Sequence, residues 1–149
     1  MYKFILGFVV LLVLTSCGGS GETPEKYMRA GFINFQNQEY DQAIANFKKA
    51  TELEPKAAAA YNMMGMAYRF KAKLLGMPEL RAKEIEAFQK ALEANPKNWV
   101  AMINLGTTYY HQGEKVKAAA LFKKALTLYP EHPEKAEIEK MIAAGEARP

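Results

Sequence analysis

The sequence contains a single cysteine, Cys17, among its 149 residues. A disulfide within the chain and a cluster of thiolate metal ligands are therefore excluded. The two histidines, His111 and His132, have no nucleophile or metal-ligand set beside them, and the sequence has no glycine-rich phosphate loop. Because catalysis needs such a constellation of groups, we predict that the protein is not an enzyme and uses no metal and no cofactor.

The sequence also lacks a strong excess of either charge, since 20 Lys and Arg residues stand against 16 Asp and Glu residues, for a formal net charge of +4. The basic residues come in short pairs, such as Lys48 and Lys49, and form no long run. A nucleic-acid site is usually a clustered basic patch, so we predict no nucleic-acid partner. The glutamates are predicted to lie on helix exteriors, where pairing with basic residues one turn away accounts for them.

A long apolar run occurs once, from Phe4 to Leu14, directly after the basic residue Lys3. Its eleven residues fall short of the roughly 20 that cross a bilayer as a helix, so a transmembrane helix is the weaker interpretation. A short apolar run between a positive charge and small residues is typical of a signal peptide.

The residues that end this run, Leu14-Thr15-Ser16-Cys17, resemble the bacterial lipobox. The resemblance implies a signal peptide over residues 1–16, and a lipid-modified Cys17 with a flexible Gly-rich tether over residues 17–23. An ordinary secreted protein with a spare thiol is the alternative. Acyl chains on Cys17 would hold the protein at a membrane, and Gly18 after the cysteine favours the outer one. We therefore expect a lipid-anchored protein of the bacterial cell envelope, with its folded domain in the periplasm.

A set of small, aromatic and proline residues recurs three times along the chain. The copies are Gly31, Ala43, Phe47, Ala50 and Pro55; Gly65, Phe88, Ala91 and Pro96; and Gly106, Ala118, Phe122, Ala125 and Pro130. The separation from glycine to proline is 24 residues in the first and third copies and 31 in the second. Each copy has two stretches with apolar residues at helical spacing, joined by a short polar turn, so the chain is predicted to be a helical repeat.

This pattern resembles the tetratricopeptide repeat (TPR) family. The resemblance implies an all-α fold, an α-solenoid of three helix-turn-helix units at residues 24–57, 58–98 and 99–132. Residues 133–149 are predicted to form a capping helix, from Glu134 to Ala144 with Gly145 at its end, and a tail. Two residues depart from the family pattern, Asn34 at a position that is usually large and apolar and Glu84 at one that is usually small.

The second unit carries seven extra residues between Lys71 and Ala82. We predict that they extend both helices of the pair, with Gly76 ending one and Pro78 beginning the next. The extension would project a group of apolar side chains beyond the array. These are Leu74, Leu75, Met77 and Leu80. It is interpreted either as a tolerated surface extension or as a docking or dimer contact.

In the resembled family, the first helices of successive pairs line a concave face, which implies a groove for a partner. Its predicted residues are Met28, Phe32, Phe35, Gln36, Asn62, Met66, Arg69, Phe70, Ile103, Thr107, Tyr110 and His111. Because this stripe is so apolar, it suits a hydrophobic extended peptide or an amphipathic helix. The alternative is that a neighbouring helix covers these residues and they form part of the core. Asn62 and Arg69 are interpreted as solvated residues or as anchors for a bound backbone. The carboxylate clamp of the chaperone co-factors in this family is rejected, because Met28 and Phe32 stand where it would begin.

Together these features predict a membrane-anchored scaffold or adaptor that binds a protein or peptide segment in its groove, with a role in assembling secretion or pilus machinery in the envelope. A self-associating structural lipoprotein is one alternative, and a periplasmic chaperone-like module is another. The partner's identity does not follow from the sequence.

Overall fold

The structure, a computed structural model, describes residues 21–147. Over that range the chain forms seven α-helices joined by short turns. They are α1 (Pro24–Gln36), α2 (Tyr40–Leu53), α3 (Ala58–Leu75), α4 (Arg81–Ala94), α5 (Trp99–His111), α6 (Lys115–Leu128) and α7 (Lys135–Glu146), with a 3-10 turn at Pro78–Leu80 before α4. The predicted all-α fold is confirmed. The predicted signal peptide and Cys17 lie outside the described residues.

The helices pack as pairs, α1 with α2, α3 with α4, and α5 with α6, and each pair stacks on the next. Three buried phenylalanines, Phe47, Phe88 and Phe122, occupy the same place in the three pairs. Each ring lies against the glycine of the first helix, where an added Cβ would come within 2.6 to 2.7 Å of a ring carbon. Glycine and phenylalanine therefore interlock in every pair, and this contact sets the spacing between the two helices.

Helix α7 covers the open side of the last pair. Its Ile138 and Ile142 are buried against Ala118, Ala119 and Phe122 of α6, which is what a terminal repeat needs to shield its core from water.

The interpretation of Gly145 as the end of this helix is wrong, because α7 continues to Glu146. A Cβ at Gly145 would lie 2.3 Å from the carbonyl oxygen of Lys115. The glycine is therefore the point where α7 crosses the beginning of α6 at close range.

The extra residues of the second unit lengthen α3, which has 18 residues where α1 and α5 have 13. Gly76 caps it in the left-handed conformation, with φ of 63°, as predicted. The prediction that both helices are lengthened is only half right. The insertion lengthens α3, but before α4 it forms a separate 3-10 turn that begins at Pro78.

Two of the four apolar residues assigned to the extension project from it. Leu74 and Leu75 are 60% and 56% exposed, whereas Leu80 is 7% exposed and Met77 is partly buried. The assignment of Leu80 to a projecting contact is therefore wrong, because the 3-10 turn packs back against α3 and α4 and carries this side chain inward.

The polar substitution at Asn34 is satisfied within the first pair. Its side-chain oxygen accepts a hydrogen bond from Asn46 Nδ2 at 2.8 Å, and its nitrogen donates to Glu39 Oε2 at 2.5 Å. Asn34 thus ties α1 to the following turn and to α2, in place of the apolar contact usual in the resembled family.

The turns of the first and third pairs each contain one residue with a left-handed backbone, but the residue type differs. Gln38 has φ of 63°, and the matching residue in the third pair is Gly113, with φ of 82°. A side chain makes this region unfavourable by about 1 kcal/mol. We expect Gln38→Gly to raise the free energy of unfolding by about 0.5–1 kcal/mol, measured by urea denaturation. Gly113→Ala should lower it by a similar amount, and a loss of stability in Gln38→Gly would contradict the strain argument.

Candidate functional site

The predicted groove residues differ widely in exposure. Phe32 and Phe70 are large apolar side chains that stay 48% and 37% exposed, and Gln36 and His111 are exposed as well. The remaining eight are partly or fully buried. These are Met28, Phe35, Asn62, Met66, Arg69, Ile103, Thr107 and Tyr110. The open part of the predicted groove is therefore centred on α1 and α3.

An aromatic patch forms where α1 ends, α2 begins and α3 passes. Phe35 meets Tyr40 and Phe70 edge to face, with ring centroids 5.7 and 5.5 Å apart, and Tyr40 stacks on Phe70 at 6.2 Å. Contacts of this kind favour a fixed ring orientation. Phe32 lies one helical turn before Phe35 on α1. We call Phe32, Phe35, Tyr40 and Phe70 the aromatic patch.

Tyr40 was missed as a member of this surface, because the sequence analysis assigned it no place in the groove. Its position as the first residue of α2, across a short turn from the end of α1, was the available signal.

Parts of the predicted stripe belong to the core. Met28 and Phe35 pack against the cluster around Phe47, and Ile103 and Tyr110 pack against the cluster shared by α6 and α7. For these residues the alternative interpretation, that a neighbouring helix covers the stripe, is correct in part.

Asn62 is buried, and the partly exposed Arg69 uses its guanidinium on bonds within the protein, so their interpretation as solvated residues or as anchors for a bound backbone is wrong. Asn62 is 8% exposed and accepts a hydrogen bond from Asn104 Nδ2 at 3.0 Å. The Arg69 guanidinium donates to the Asn104 carbonyl oxygen at 2.7 Å and to Thr108 Oγ1 at 2.8 Å. Arg69 therefore joins α3 to α5 within the protein.

The centre of this network is Glu84, which is 0% exposed. The prediction that the glutamates lie on helix exteriors is wrong here. Glu84 stands four residues before Phe88, where the other two pairs have the buried alanines Ala43 and Ala118. A carboxylate at such a position must be paired and hydrogen-bonded to remain charged.

Three side chains satisfy the Glu84 carboxylate. Oε1 accepts from Arg69 Nε at 2.8 Å and from Thr108 Oγ1 at 2.6 Å, and Oε2 accepts from Arg81 Nη1 at 2.9 Å. Within residues 21–147 no buried side-chain polar atom lacks a partner. We call Arg69, Glu84, Arg81, Asn104 and Thr108 the buried polar network. It connects α3, α4 and α5, and so joins the second pair to the third.

A basic cleft of about 470 Å³ opens beside this network, between the ends of α3 and α5 and the turn before α4. It is lined by Arg69, Ala72, Lys73, Gly76, Pro78, Arg81, Thr107, Thr108 and His111. The lining holds basic side chains and hydroxyl groups but no carboxylate, since Glu84 lies behind it and is fully buried. Lys73 and Arg81 were not predicted as site residues. A glutamate at an alanine position, which requires a cation nearby, was the signal that could have found Arg81.

A second cleft, of about 350 Å³ and with mixed charges, lies between α2, α3 and α4. Burial raises the pKa of the Tyr68 hydroxyl there, and the nearby Glu86 carboxylate adds to the effect. Lys90 donates a hydrogen bond to Glu86 and lowers the pKa of that carboxyl group. Two carboxylates, those of Glu52 and Glu86, stand among the three lysines of its lining, so this cleft offers a ligand less unbalanced positive charge than the basic cleft.

Residues 21–147 show no group of three or more His, Cys, Asp and Glu side chains that could bind a metal ion. In the same part of the chain, no helix has the length and apolar character needed to cross a membrane.

The stacked helical pairs, with exposed aromatic side chains on α1 and α3, define a helical-repeat protein of the kind that serves as an interaction scaffold. Models of the tetratricopeptide repeat match residues 31–69 and 85–133. The chain is therefore a tetratricopeptide repeat protein.

Among curated relatives, human tetratricopeptide repeat protein 33 is 28% identical over 116 residues, which are 78% of this chain and 42% of that protein. Photosystem I assembly protein Ycf3 of Prochlorococcus marinus is 29% identical over 119 residues, covering 70% of this chain and 66% of that protein. The chain thus spans less than half of the former and about two thirds of the latter.

Among solved structures, the TPR domain of Arabidopsis OM64 superposes with a TM-score of 0.71 at 20% identity, over 82% of this chain and 95% of that one. The first TPR domain of Spaghetti (RPAP3), bound to the HSP90 peptide SRMEEVD, gives a TM-score of 0.71 at 20% identity, over 84% and 94%. These likenesses establish the fold.

Proposed function

We propose that the protein is a membrane-anchored scaffold that holds a segment of a partner protein on the inner face of α1 and α3. The observation that carries the proposal is the exposure of Phe32 and Phe70, 48% and 37%, beside rings that hold Phe70 in place. Exposed aromatic side chains on a rigid support are the usual anchors of a protein interface. An apolar extended segment or an amphipathic helix is the occupant that suits this surface.

The comparisons support binding of this general kind. RPAP3, whose TPR domain has the same fold, binds an HSP90 peptide, and Ycf3 is named as an assembly protein. Beyond these two proteins, we propose that this chain is an envelope assembly factor of secretion or pilus machinery, anchored in the outer membrane through lipid on Cys17. With Met28 and Phe32 on the inner face, we propose recognition of apolar side chains and not of a terminal carboxylate.

A pair of truncations tests the proposed surface. We expect Phe32→Ala/Phe70→Ala to reduce capture of the partner at least 10-fold, because aromatic anchors at interfaces often contribute more than about 1 kcal/mol each. The measurement is crosslinking and affinity capture from envelope membranes with the lipidated chain. A photo-reactive amino acid at position 32 or 70 should crosslink to the same partner.

The matched control is Ile33→Ala/Val116→Ala, which truncates apolar residues that are 50% and 74% exposed outside the predicted groove. It should leave capture unchanged. Capture that survives loss of Phe32 and Phe70 in a folded, lipidated protein would place the binding surface elsewhere and overturn the proposal.

Self-association through the α3 extension is a second candidate, favoured by the 60% and 56% exposure of Leu74 and Leu75. The same capture experiment separates the two, with Leu74→Ser/Leu75→Ser as the variant and light scattering as the measure of mass. A fall in mass with this variant, and none with the Phe32 and Phe70 truncations, would favour self-association.

A further inference from the structure

We propose that the basic cleft is a subsite for an acidic side chain, an aspartate or glutamate of the segment that the aromatic patch binds. This inference rests on the proposed function and specifies its ligand: apolar residues for the patch and a carboxylate for the cleft. The site lies at the C-terminal end of α3, which has 18 residues where α1 and α5 have 13.

Helix α3 places the two surfaces side by side. Arg69, Lys73 and Gly76 follow one another at the spacing of a single helical stripe and line the cleft. Phe70 and Leu74 form the adjoining stripe, and both are exposed. A segment that crosses the inner face of α3 therefore meets apolar side chains on the α1 side and basic ones on the α5 side.

The cleft carries unbalanced positive charge. Lys73, Arg69 and Arg81 bring three formal charges to its lining, against the single negative charge of Glu84 behind it. His111 adds an imidazole N–H that can donate a further hydrogen bond. An anion in the cleft would relieve this excess.

The hydrogen bonds show which groups can reach the anion. Arg69 uses its nitrogens on Glu84, Asn104, Thr108 and the Met66 sulfur, so it contributes charge but no spare donor. Arg81 makes one hydrogen bond, to Glu84, and its side chain is 37% exposed. Lys73 is exposed and has no ion pair among the described residues. Lys73 and Arg81 are therefore the donors for an incoming carboxylate.

Helix direction favours a peptide carboxylate over a lipid phosphate. The turns between helices are short, so α1 and α3 run the same way, and the cleft lies at the C-terminal ends of α3 and α5. The proposed anchor, Cys17, precedes the N-terminal end of α1. With a rise of about 1.5 Å per residue, the 18 residues of α3 span about 27 Å, so the cleft lies at the opposite end of the helices from the N-terminal end of α1.

The test is a selection from a displayed library of random 12-residue peptides, using the lipidated full chain in detergent micelles. We expect peptides with Asp or Glu at a fixed distance from aromatic or aliphatic residues. Lys73→Gln/His111→Gln should weaken binding of such peptides about 3- to 5-fold, as expected for an exposed charge pair, and Lys73→Glu should favour Lys or Arg instead. Neither residue contacts Glu84, so the buried polar network stays intact in these variants.

The control variant is Lys97→Gln/Lys124→Gln, which alters exposed lysines outside the cleft and should leave the acidic preference unchanged.

Apolar peptides selected without an acidic preference, yet lost in Phe32→Ala/Phe70→Ala, would overturn the subsite and leave the proposed function standing. An acidic preference that survives the Phe32 and Phe70 truncations would overturn the proposed function. Native mass spectrometry with added phosphatidylglycerol tests whether the cleft binds a lipid phosphate instead. If the selected peptides show no acidic preference and a lipid complex is lost in Lys73→Gln/His111→Gln, the inference is also overturned.

Discussion

Arg69→Tyr is expected to lower the free energy of unfolding by about 2–4 kcal/mol, as is common when one partner of a buried ion pair is removed. The Glu84 carboxylate is 0% exposed and would keep only Arg81 as a cationic partner. Asn104 and Thr108 would lose the donors that reach them from α3. The effect stays below the largest known values because the Arg69 side chain is 21% exposed, and water can replace part of what is lost.

A second substitution should restore most of this stability. The third pair has Tyr110 four residues after its glycine and Ala118 four residues before its phenylalanine, where the second pair has Arg69 and Glu84. Arg69→Tyr/Glu84→Ala therefore recreates a combination that this chain already packs. Because apolar replacements of buried ion pairs are often neutral or stabilising, we expect the double variant to lie within about 1 kcal/mol of the wild type.

Urea denaturation followed by circular dichroism measures both effects, and the four proteins form a double-mutant cycle. The single variant Glu84→Ala should fall between wild type and Arg69→Tyr, since it leaves two arginines that water reaches. Additive losses in the double variant would contradict the pairing argument. Arg81→Met is the matched control, and it should be milder because Arg81 makes one bond and is 37% exposed.

The fold was predictable because its main contacts repeat. Gly31, Gly65 and Gly106 must be small for the phenylalanine rings to fit, and three copies of one constraint stand out in a single sequence. The α7 cap was predicted at residues 134–144, and the structure has Ile138 and Ile142 of this helix buried against the last pair. Gly145 was misinterpreted because a glycine near a helix end also fits a terminator, and only the distance to the Lys115 carbonyl oxygen shows the close crossing.

The candidate site was less predictable because exposure depends on contacts between distant helices. Arg69 was predicted to face a groove, but its position suits a buried role once Glu84 replaces an alanine. The two residues are 15 apart in sequence and come together only when α3 packs on α4. Phe32 and Phe70 were assigned to the groove and are exposed, whereas Tyr110 was assigned there and lies partly in the core. A spacing pattern gives the face of a helix, but it does not say what covers that face.

Phe88→Ala should lower the free energy of unfolding by about 3–5 kcal/mol, because truncating a fully buried aromatic side chain leaves a cavity that the helices cannot close. Gly65→Ala alone should also destabilise, by about 1–3 kcal/mol, as added atoms do in a filled core. The new Cβ would lie 2.6 Å from a carbon of the Phe88 ring.

The effect of Gly65→Ala on the free energy of unfolding should then change sign when Phe88 is truncated. With the Phe88 ring gone, the Cβ at position 65 has space, and alanine is favoured over glycine inside a helix by about 0.8–1 kcal/mol. Gly65→Ala should therefore stabilise the Phe88→Ala protein, although it destabilises the wild type. Thermal and urea unfolding of the four proteins measures this reversal. If Gly65→Ala destabilises both backgrounds equally, the ring is not what excludes the methyl group, and the interlocking of glycine and phenylalanine does not set the spacing of the helical pairs.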